Sequence, residues 1–539
     1  MVGFSVRGAL KAGSVTIALS ALAMIVQAQA WSPDAGPGFF RNPIIFADYS
    51  DPDVVRVGAD YYMTASSFES VPALPILHSR DLVHWQIVNH ALRRLGTDFD
   101  RPQHGNGVWA PSIRHHDGAF YIFYGDPDRG IFMVKTRNIR ATWDAPVLVK
   151  AAKGWIDPCP LWDDNGNAYL VHAFANSRAG IKSVLHVNRM SPDGTRLLDE
   201  GTLVFDGHER HPTIEGPKFY KRDGWYYIFA PAGGVATGWQ TVLRSRNVLG
   251  PYEDRIVLVQ GSTNVNGPHQ GGWVRSASGE DWFIHFQDRD AYGRVVHLQP
   301  MTWRADGWPV IGADPDGDGV GEPVATYRLP SARAGAETVP LSSDEFDAPR
   351  LGLQWQWQAN DDPEWYSLSA HRGALRLFAR PLPRDSANLW FAPNVVLQKF
   401  SAPSFTVTSR ITLSDTGALS AGLVVLGMDY ASLGLRRADG IVSVVRSQVL
   451  DAPSGRLEEV SSALAIGGRS VFVRVAVAAD AMCTFAYSLD AKSWTPLGGP
   501  FQARKGRWVG AKVGLFAVGA SGHADIDFFR VTSGLFPRQ

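Results

Sequence analysis

Apolar and polar positions between residues 51 and 283 follow one pattern that recurs five times. In each repeat a short polar or small-residue motif precedes an apolar stretch, a glycine turn and an aromatic strand. The leading residues of the five motifs are Asp51, Trp109, Asp157, Glu215 and His269. The Asp-Gly or Asn-Gly pairs at 117–118, 165–166 and 223–224 predict β-hairpins, because their turns need positive φ. A period of about 50 residues made of short strands is typical of propeller blades.

These repeats predict a five-bladed β-propeller over residues 31–330. The alternative is a β-sandwich with coincidental spacing, but sandwiches do not repeat with this period. Because the innermost strand of each blade lines the central channel, the five leading residues are expected to surround one pocket. Three of them are acidic, and carboxyl groups that converge repel one another, so their convergence indicates function.

A second block of alternating strands begins near residue 344 and predicts a β-sandwich over residues 344–539. Residues 405–411, 471–477 and 525–531 are examples of its strands, and glycine-rich turns separate them. The small and polar residues of segment 331–343 predict a linker between the two domains. The chain as a whole is therefore predicted to be all-β.

The N-terminal residues 1–30 have the order of features found in a signal peptide. Arg7 and Lys11 precede an apolar run at 15–26, and Ala28-Gln29-Ala30 supplies a small-x-small cleavage signal. A buried helix is the alternative interpretation. No other segment has the apolar length of a membrane span. The sequence therefore predicts a secreted or periplasmic protein.

Charge and cysteine content narrow the function classes. The chain has 52 basic and 52 acidic residues, a balance that argues against nucleic-acid or membrane-surface partners. Cys159 and Cys483 lie in different predicted domains, which favours two buried free thiols over a disulfide. Alternate aspartates at 314–318 resemble a calcium loop, but the twelfth position is Ala325 rather than Glu, which favours a solvated acidic loop.

Seven motifs in this order resemble those of glycoside hydrolase family 43. They are SDPD at 50–53, HSRDLVHW at 78–85, WAPSI at 109–113, WIDP at 155–158, EGP at 215–217, GPHQGG at 267–272 and GRVVHLQP at 293–300. The C-terminal part resembles the concanavalin-like (jelly-roll) sandwich of β-xylosidases in this family, through LQWQW at 353–357 and GAKVGLF at 510–516. The resemblance covers almost the whole chain after residue 30.

This resemblance implies an exo-acting, inverting glycoside hydrolase that releases terminal xylose or arabinofuranose from hemicellulose oligosaccharides. It implies that Asp51 is the general base, Glu215 the general acid, and Asp157 the residue that supplies negative charge to keep Glu215 protonated and oriented. An inverting enzyme holds its acid and base about 6.5–9.5 Å apart to admit a water molecule. Asp48 and Asp53 are alternatives to Asp51, and Glu209 is an alternative to Glu215.

Four further residues are assigned by the same resemblance. Phe68 and Trp109 form an apolar wall that stacks on the sugar, and a tight wall disfavours the extra hydroxymethyl group of a hexose. Arg294 hydrogen-bonds sugar hydroxyls. His269 lies at the channel centre and faces a calcium ion (Ca²⁺) through water, in a structural or electrostatic role; a satisfied core histidine is the alternative.

Two other functions remain open at this point. An endo-arabinanase would need an open groove, and a non-catalytic carbohydrate-binding propeller would not need all three carboxyl groups. Xylosidase and arabinofuranosidase activity are both compatible with the sequence.

Overall fold

The structure is a computed structural model of the chain and describes residues 1, 3, 30–330 and 338–534. The predicted signal peptide lies almost entirely outside the described residues, as do residues 331–337 of the predicted linker. None of the helices in the described part has the length and apolar character needed to cross a bilayer.

The predicted propeller is confirmed: five antiparallel sheets of four strands follow one another in chain order. Blade 1 comprises Asp53–Val57, Asp60–Thr64, Ala73–Ser79 and Gln86–Leu92. Blade 2 comprises Trp109–His116, Ala119–Asp126, Gly130–Thr136 and Val147–Ala151. Blade 3 comprises Trp155–Trp162, Ala168–Phe174, Val184–Met190 and Thr202–Asp206. Blade 4 comprises Lys218–Arg222, Trp225–Ala232, Trp239–Ser245 and Glu253–Leu258, and blade 5 comprises His269–Arg275, Asp281–Asp288, Arg294–Trp303 and Pro309–Ile311.

Backbone pairing outside the blades joins the two ends of the ring. Phe39–Arg41 pairs with Thr326–Arg328, and Ile45 forms an isolated bridge with Val296 of blade 5. Apolar side chains of blades 1 and 5 then share one core cluster, which includes Tyr61 and Trp282. Helical segments among the described residues are single turns: Thr97–Asp100, Asn176–Ala179, Asp290–Tyr292, Leu389–Phe391 and Ala452–Ser454.

The backbone agrees fully with the prediction in two of the three predicted hairpin turns. Both residues of Asp117-Gly118 have positive φ (47° and 72°), and so do both residues of Asp223-Gly224 (50° and 73°). In the Asn165-Gly166 pair of blade 3 only the glycine has positive φ, 81°. A positive φ at both central residues matches the right-handed twist of the flanking strands, so the turns of blades 2 and 4 fix the register of their strands.

The C-terminal domain is the predicted β-sandwich. One seven-stranded sheet contains, in spatial order, Gln356–Trp357, Val396–Lys399, Lys512–Gly519, Leu419–Leu426, Tyr430–Ala438, Ile441–Val449 and Glu459–Ala465. The eight-stranded sheet contains Tyr366–Ser367, Leu375–Phe378, His523–Ser533, Phe405–Leu413, Ser470–Val477, Met482–Ser488 and Thr495–Pro496, with Phe501–Gln502 paired to Met482–Ser488. Alternate residues of both sheets point into one apolar core.

The two domains are joined by a common core rather than by the linker alone. Phe46 and Tyr292 of the propeller belong to the core cluster of the sandwich. The backbones of Val71 and Trp357 exchange two hydrogen bonds, of 3.1 and 2.6 Å. These contacts hold sandwich residues near the mouth of the propeller. Cys159 and Cys483 are both buried and free, as predicted.

Candidate active site

The start of the inner strand in each blade has an irregular backbone. Positive φ occurs at equivalent places in the five blades: Asp51 (55°), Ala110 (27°), Asp157 (58°), Gly216 (59°) and Gln270 (36°). In blades 2, 3 and 5 the strand pairing also shifts register there. Such bulges change the direction of side chains and are frequent beside active sites. The same local distortion thus turns side chains from every blade towards the channel mouth.

These side chains surround a pocket of about 300 Å³. Six of the seven predicted site residues line it: Asp51, Phe68, Trp109, Asp157, Glu215 and Arg294. The seventh, His269, lies behind the wall and contacts Glu215. The prediction that three carboxyl groups from separate blades meet at one place therefore agrees with the structure.

Asp51 is held as a fixed acceptor. Its Oδ2 accepts hydrogen bonds from the Oγ atoms of Ser50 (2.8 Å) and Ser66 (2.5 Å). Its Oδ1 accepts from Nη1 of Arg294 at 3.1 Å. Only 5% of Asp51 is exposed. Two hydroxyls and a guanidinium all donate to this carboxyl group, and together they fix its direction.

The alternatives to Asp51 have structural partners and do not line the pocket. Asp48 accepts from the backbone N–H groups of Arg294 and Gly510, both at 2.9 Å, and so ties the propeller to the sandwich. Asp53 is fully buried and pairs with Arg114 at 2.6 Å. Glu209, the alternative to Glu215, is exposed in a loop away from the pocket.

Asp157 and Glu215 form a pair with unequal surroundings. Asp157 is 4% exposed and its Oδ2 accepts from the N–H of Gly216 at 2.7 Å, whereas the Glu215 side chain is 28% exposed. Burial, together with the charges of Glu215 and Asp51, raises the pKa of Asp157 to about 8. The sequence predicted that Asp157 supplies negative charge beside Glu215; its raised pKa also lets Asp157 compete with Glu215 for one proton, because it is the more buried carboxyl.

His269 is fully buried and lies against the acid pair. Its Nε2 is 3.2 Å from Oε1 of Glu215. Its Nδ1 is buried and has no hydrogen-bond partner among the described residues. Calcium prefers oxygen ligands, so this nitrogen fits a water molecule in the shell of such a cation rather than the cation itself.

Sequence reasoning missed a third aromatic wall, which comes from the other domain. Trp508 lies on the sandwich loop 504–510 and lines the pocket opposite the propeller. Its ring centroid is 6.1 Å from that of Trp109, which in turn is 6.3 Å from that of Phe68. Trp508 is 52% exposed, and one tryptophan in a polar turn gives no signal in the sequence that it faces a site on a distant domain.

The loop that carries Trp508 rests on a glycine of the propeller. Gly105 has φ of +80°, and a Cβ there would come within 2.8 Å of Arg507 Cγ and 2.9 Å of Trp508 Cδ1. The carbonyl of Gly105 also accepts from Nε1 of Trp109 at 2.9 Å. One residue therefore supports both tryptophans of the pocket.

We expect Gly105→Ala to lower kcat/KM about tenfold or more, because it displaces two walls of the pocket by a fraction of an ångström to an ångström. Gly58→Ala is the matched control: Gly58 also has positive φ (+64°), but no atom lies within 4 Å of an added Cβ. Both variants carry the backbone strain of alanine at positive φ, so this strain alone cannot explain a loss of kcat/KM that is confined to Gly105→Ala. Equal kcat/KM values in the two variants would contradict the role of Gly105.

Comparison with known proteins agrees with this geometry. The sequence profile of glycosyl hydrolases family 43 matches residues 40–309, and that of the beta xylosidase C-terminal concanavalin A-like domain matches residues 343–532. The chain is 41% identical over 492 residues to a putative beta-xylosidase of Xylanibacter ruminicola, covering 91% of this chain and 88% of that one. It is 30% identical over 439 residues to the non-reducing end alpha-L-arabinofuranosidase BoGH43B of Bacteroides ovatus, covering 76% and 79%.

Solved structures show the same arrangement of two domains. The xylan beta-1,4-xylosidase of Bacillus halodurans C-125 superposes with a TM-score of 0.82 at 25% identity, covering 92% of this chain and all of that one. The family profiles together span most of the described residues, and the three acidic side chains meet in one pocket. The chain therefore belongs to glycosyl hydrolases family 43 and is a glycosidase.

Proposed function

We propose that the protein is an exo-acting, inverting glycosidase that removes terminal xylose or arabinofuranose from hemicellulose oligosaccharides. The observation that carries this proposal is the pocket of about 300 Å³ in which Asp51, Asp157 and Glu215 face one another between three aromatic side chains. Relatives that cover most of the chain carry the names beta-xylosidase and alpha-L-arabinofuranosidase, which supports pentose substrates.

In this mechanism Asp51 is the general base. Its hydrogen bonds with Ser50, Ser66 and Arg294 hold the carboxyl group in one orientation, in which it can accept a proton from the water that attacks the anomeric carbon. Arg294 also lines the pocket, so its remaining N–H groups can bind hydroxyls of the sugar. Arg294 would thereby fix the base and the substrate in one geometry.

Glu215 is the general acid, and it shares one proton with Asp157. The proton must lie on Glu215 when the leaving oxygen accepts it, and the more exposed position of Glu215 in the pocket suits this transfer. The hydrogen bond from Gly216 to Asp157 stabilises the negative charge that then remains on Asp157. His269 keeps the Glu215 carboxyl in place through its Nε2.

Trp508 favours exo action over endo action. An endo-arabinanase binds the chain on both sides of the cleaved bond and therefore needs a groove open at both ends. The sandwich loop places Trp508 and Val509 beside the pocket. A terminal sugar fits into such a site, whereas a continuous chain would meet the loop.

The proposal is tested by hydrolysis of 4-nitrophenyl β-D-xylopyranoside, 4-nitrophenyl α-L-arabinofuranoside and unbranched arabinan. We expect release of monosaccharide from one or both aryl pentosides and no rapid fall in arabinan viscosity. Proton NMR of the first product should show inverted configuration. Failure to cleave either pentoside, or a product of retained configuration, would refute the substrate class or the mechanism respectively.

We expect Asp157→Asn to move the basic limb of the kcat/KM profile to lower pH by about one unit or more. In the wild type the pair keeps its last proton up to about pH 8, the pKa to which burial and the charges of Glu215 and Asp51 raise Asp157. With a neutral amide at 157, Glu215 has no charged neighbour at that position, and it therefore loses its proton at lower pH.

Asp126→Asn is the control, because burial also raises the pKa of Asp126 but this residue lies outside the pocket. An unmoved limb in Asp157→Asn would contradict the shared proton.

We also propose a calcium ion near His269, contacted through water. The Nδ1 of His269 is buried and has no hydrogen-bond partner in the described part of the chain, which supports this assignment, and a bound cation would add positive charge beside the acid pair. We expect chelation to lower kcat and added calcium to restore it. Asp316→Asn is the control, because the carboxylates of Asp314, Asp316 and Asp318 lie within 4.8 Å of one another and form the other candidate for calcium. Loss of the calcium response in Asp316→Asn would assign the effect to that loop.

Export from the cytoplasm is part of the proposal. The basic, apolar and small-residue segments of 1–30 support a cleavable signal peptide. Mass spectrometry of the exported protein should give an N-terminus at Trp31.

A further inference from the structure

A second cavity, of about 250 Å³, adjoins the active-site pocket. The two share Val235, Arg294 and Trp508, and sandwich residues 505–509 form much of the second cavity's wall. The pocket holds the carboxyl groups that act on the terminal sugar, so the adjoining cavity is where the rest of an oligosaccharide can continue. The sandwich loop therefore lies beside the leaving part of the substrate.

Arg507 lies where this second cavity meets a third, of about 420 Å³. It lines both of them, as does Met428. The pocket and the two cavities thus follow one another around the sandwich loop. Arg507 is exposed and directly precedes Trp508 in the chain.

The guanidinium of Arg507 is available for a ligand. In the part of the chain that the structure describes, no carboxylate lies within ion-pair distance of it, whereas its neighbours Arg504 and Lys505 pair with Asp429 (3.2 Å) and Asp290 (3.7 Å). The aliphatic stem is held: its Cγ and Cδ would lie 2.8 and 3.0 Å from a Cβ at Gly105. Arg507 therefore combines a positioned stem with free donors.

We propose that Arg507 binds the carboxylate of a uronic acid carried by the leaving part of the substrate, an inference that rests on the glycosidase function proposed above. A guanidinium matches a carboxylate through two parallel hydrogen bonds. The flanking Trp508 and Met428 offer apolar surface to the C–H face of a sugar. Of the two acidic residues of the second cavity, Asp290 pairs with Lys505, and neither is within ion-pair distance of Arg507 in the described structure.

The test compares kcat/KM for linear xylo-oligosaccharides with kcat/KM for the same oligosaccharides bearing glucuronic acid on the second or third residue from the non-reducing end. We expect the wild type to prefer one of the acidic substrates about fivefold at low salt, and the preference to shrink as ionic strength rises. Arg507→Gln should bring the ratio to about one, and Arg507→Lys should keep part of it. Arg504→Gln, on the same loop but already paired, is the control and should keep the full ratio.

The outcomes separate this inference from the proposed function. A wild type that cleaves neutral oligosaccharides without any preference for the acidic ones would refute the uronic-acid site alone. A preference that persists in Arg507→Gln would also refute it. A wild type that cleaves none of the oligosaccharides would refute the proposed function itself.

Discussion

Replacing Glu215 by glutamine is expected to lower kcat/KM on xylobiose about 10³-fold, yet to cost far less on an aryl pentoside with a dinitrophenolate leaving group. The reason is that an alkoxide leaving group must receive a proton as the bond breaks, whereas dinitrophenolate leaves as a stable anion. Glutamine keeps the shape of the side chain and can still contact Nε2 of His269, which lies 3.2 Å from Oε1 of Glu215. Both substrates should be measured with the same protein preparation. Unfolding would lower both rates equally, whereas loss of the proton donor lowers mainly the rate on xylobiose.

The matched control for this prediction is Glu209→Gln. Glu209 is close in sequence but is exposed in a loop and does not line the pocket, so both rates should stay near those of the wild type. Losses of equal size on the two substrates in Glu215→Gln would show that Glu215 does not deliver the proton. In that case another pocket carboxyl would be the donor.

The blade count and the meeting of Asp51, Asp157 and Glu215 could be predicted from the sequence because both depend on repetition. A motif at the start of each inner strand occupies the same place in every blade, so distant residues converge. The sequence did not show, however, which residue of each motif has the positive φ. The residue with positive φ is the acid itself in blades 1 and 3, but it follows the leading residue in the others, as Gly216 follows Glu215.

Two features of the site depend on distances that the sequence does not contain. Trp508 reaches the pocket because several contacts fix the two domains against each other, among them the entry of Phe46 and Tyr292 into the core of the sandwich. The pKa of Asp157 is raised because the residue is only 4% exposed and lies near two other carboxyl groups, and burial of a carboxyl is set by packing from several blades. Motifs identify which groups meet, and the packing around them sets their protonation.

Replacing Asp51 by asparagine is expected to lower kcat by about 10³-fold or more on every substrate, whatever the leaving group. The base acts on water and not on the leaving oxygen, so a better leaving group cannot compensate for its loss. Asparagine can keep one acceptor for Ser50 and Ser66 but has no negative charge for Arg294, which lies 3.1 Å from Oδ1. KM should therefore change less than kcat.

The pattern across the three nearby aspartates decides whether Asp51 acts on the reaction or on the fold. Asp53→Asn breaks a buried ion pair with Arg114 and should cost about 3–5 kcal/mol of folding free energy. Asp48→Asn weakens the hydrogen bonds to Arg294 and Gly510 that hold the domains together. These two variants should lower the melting temperature while the folded fraction keeps most of its kcat.

Asp51→Asn should do the reverse, keeping its fold and losing turnover equally on xylobiose and on the dinitrophenyl pentoside. Equal losses of turnover in all three variants would mean that Asp51 shares a structural role with its neighbours, and the base would then have to be sought elsewhere in the pocket.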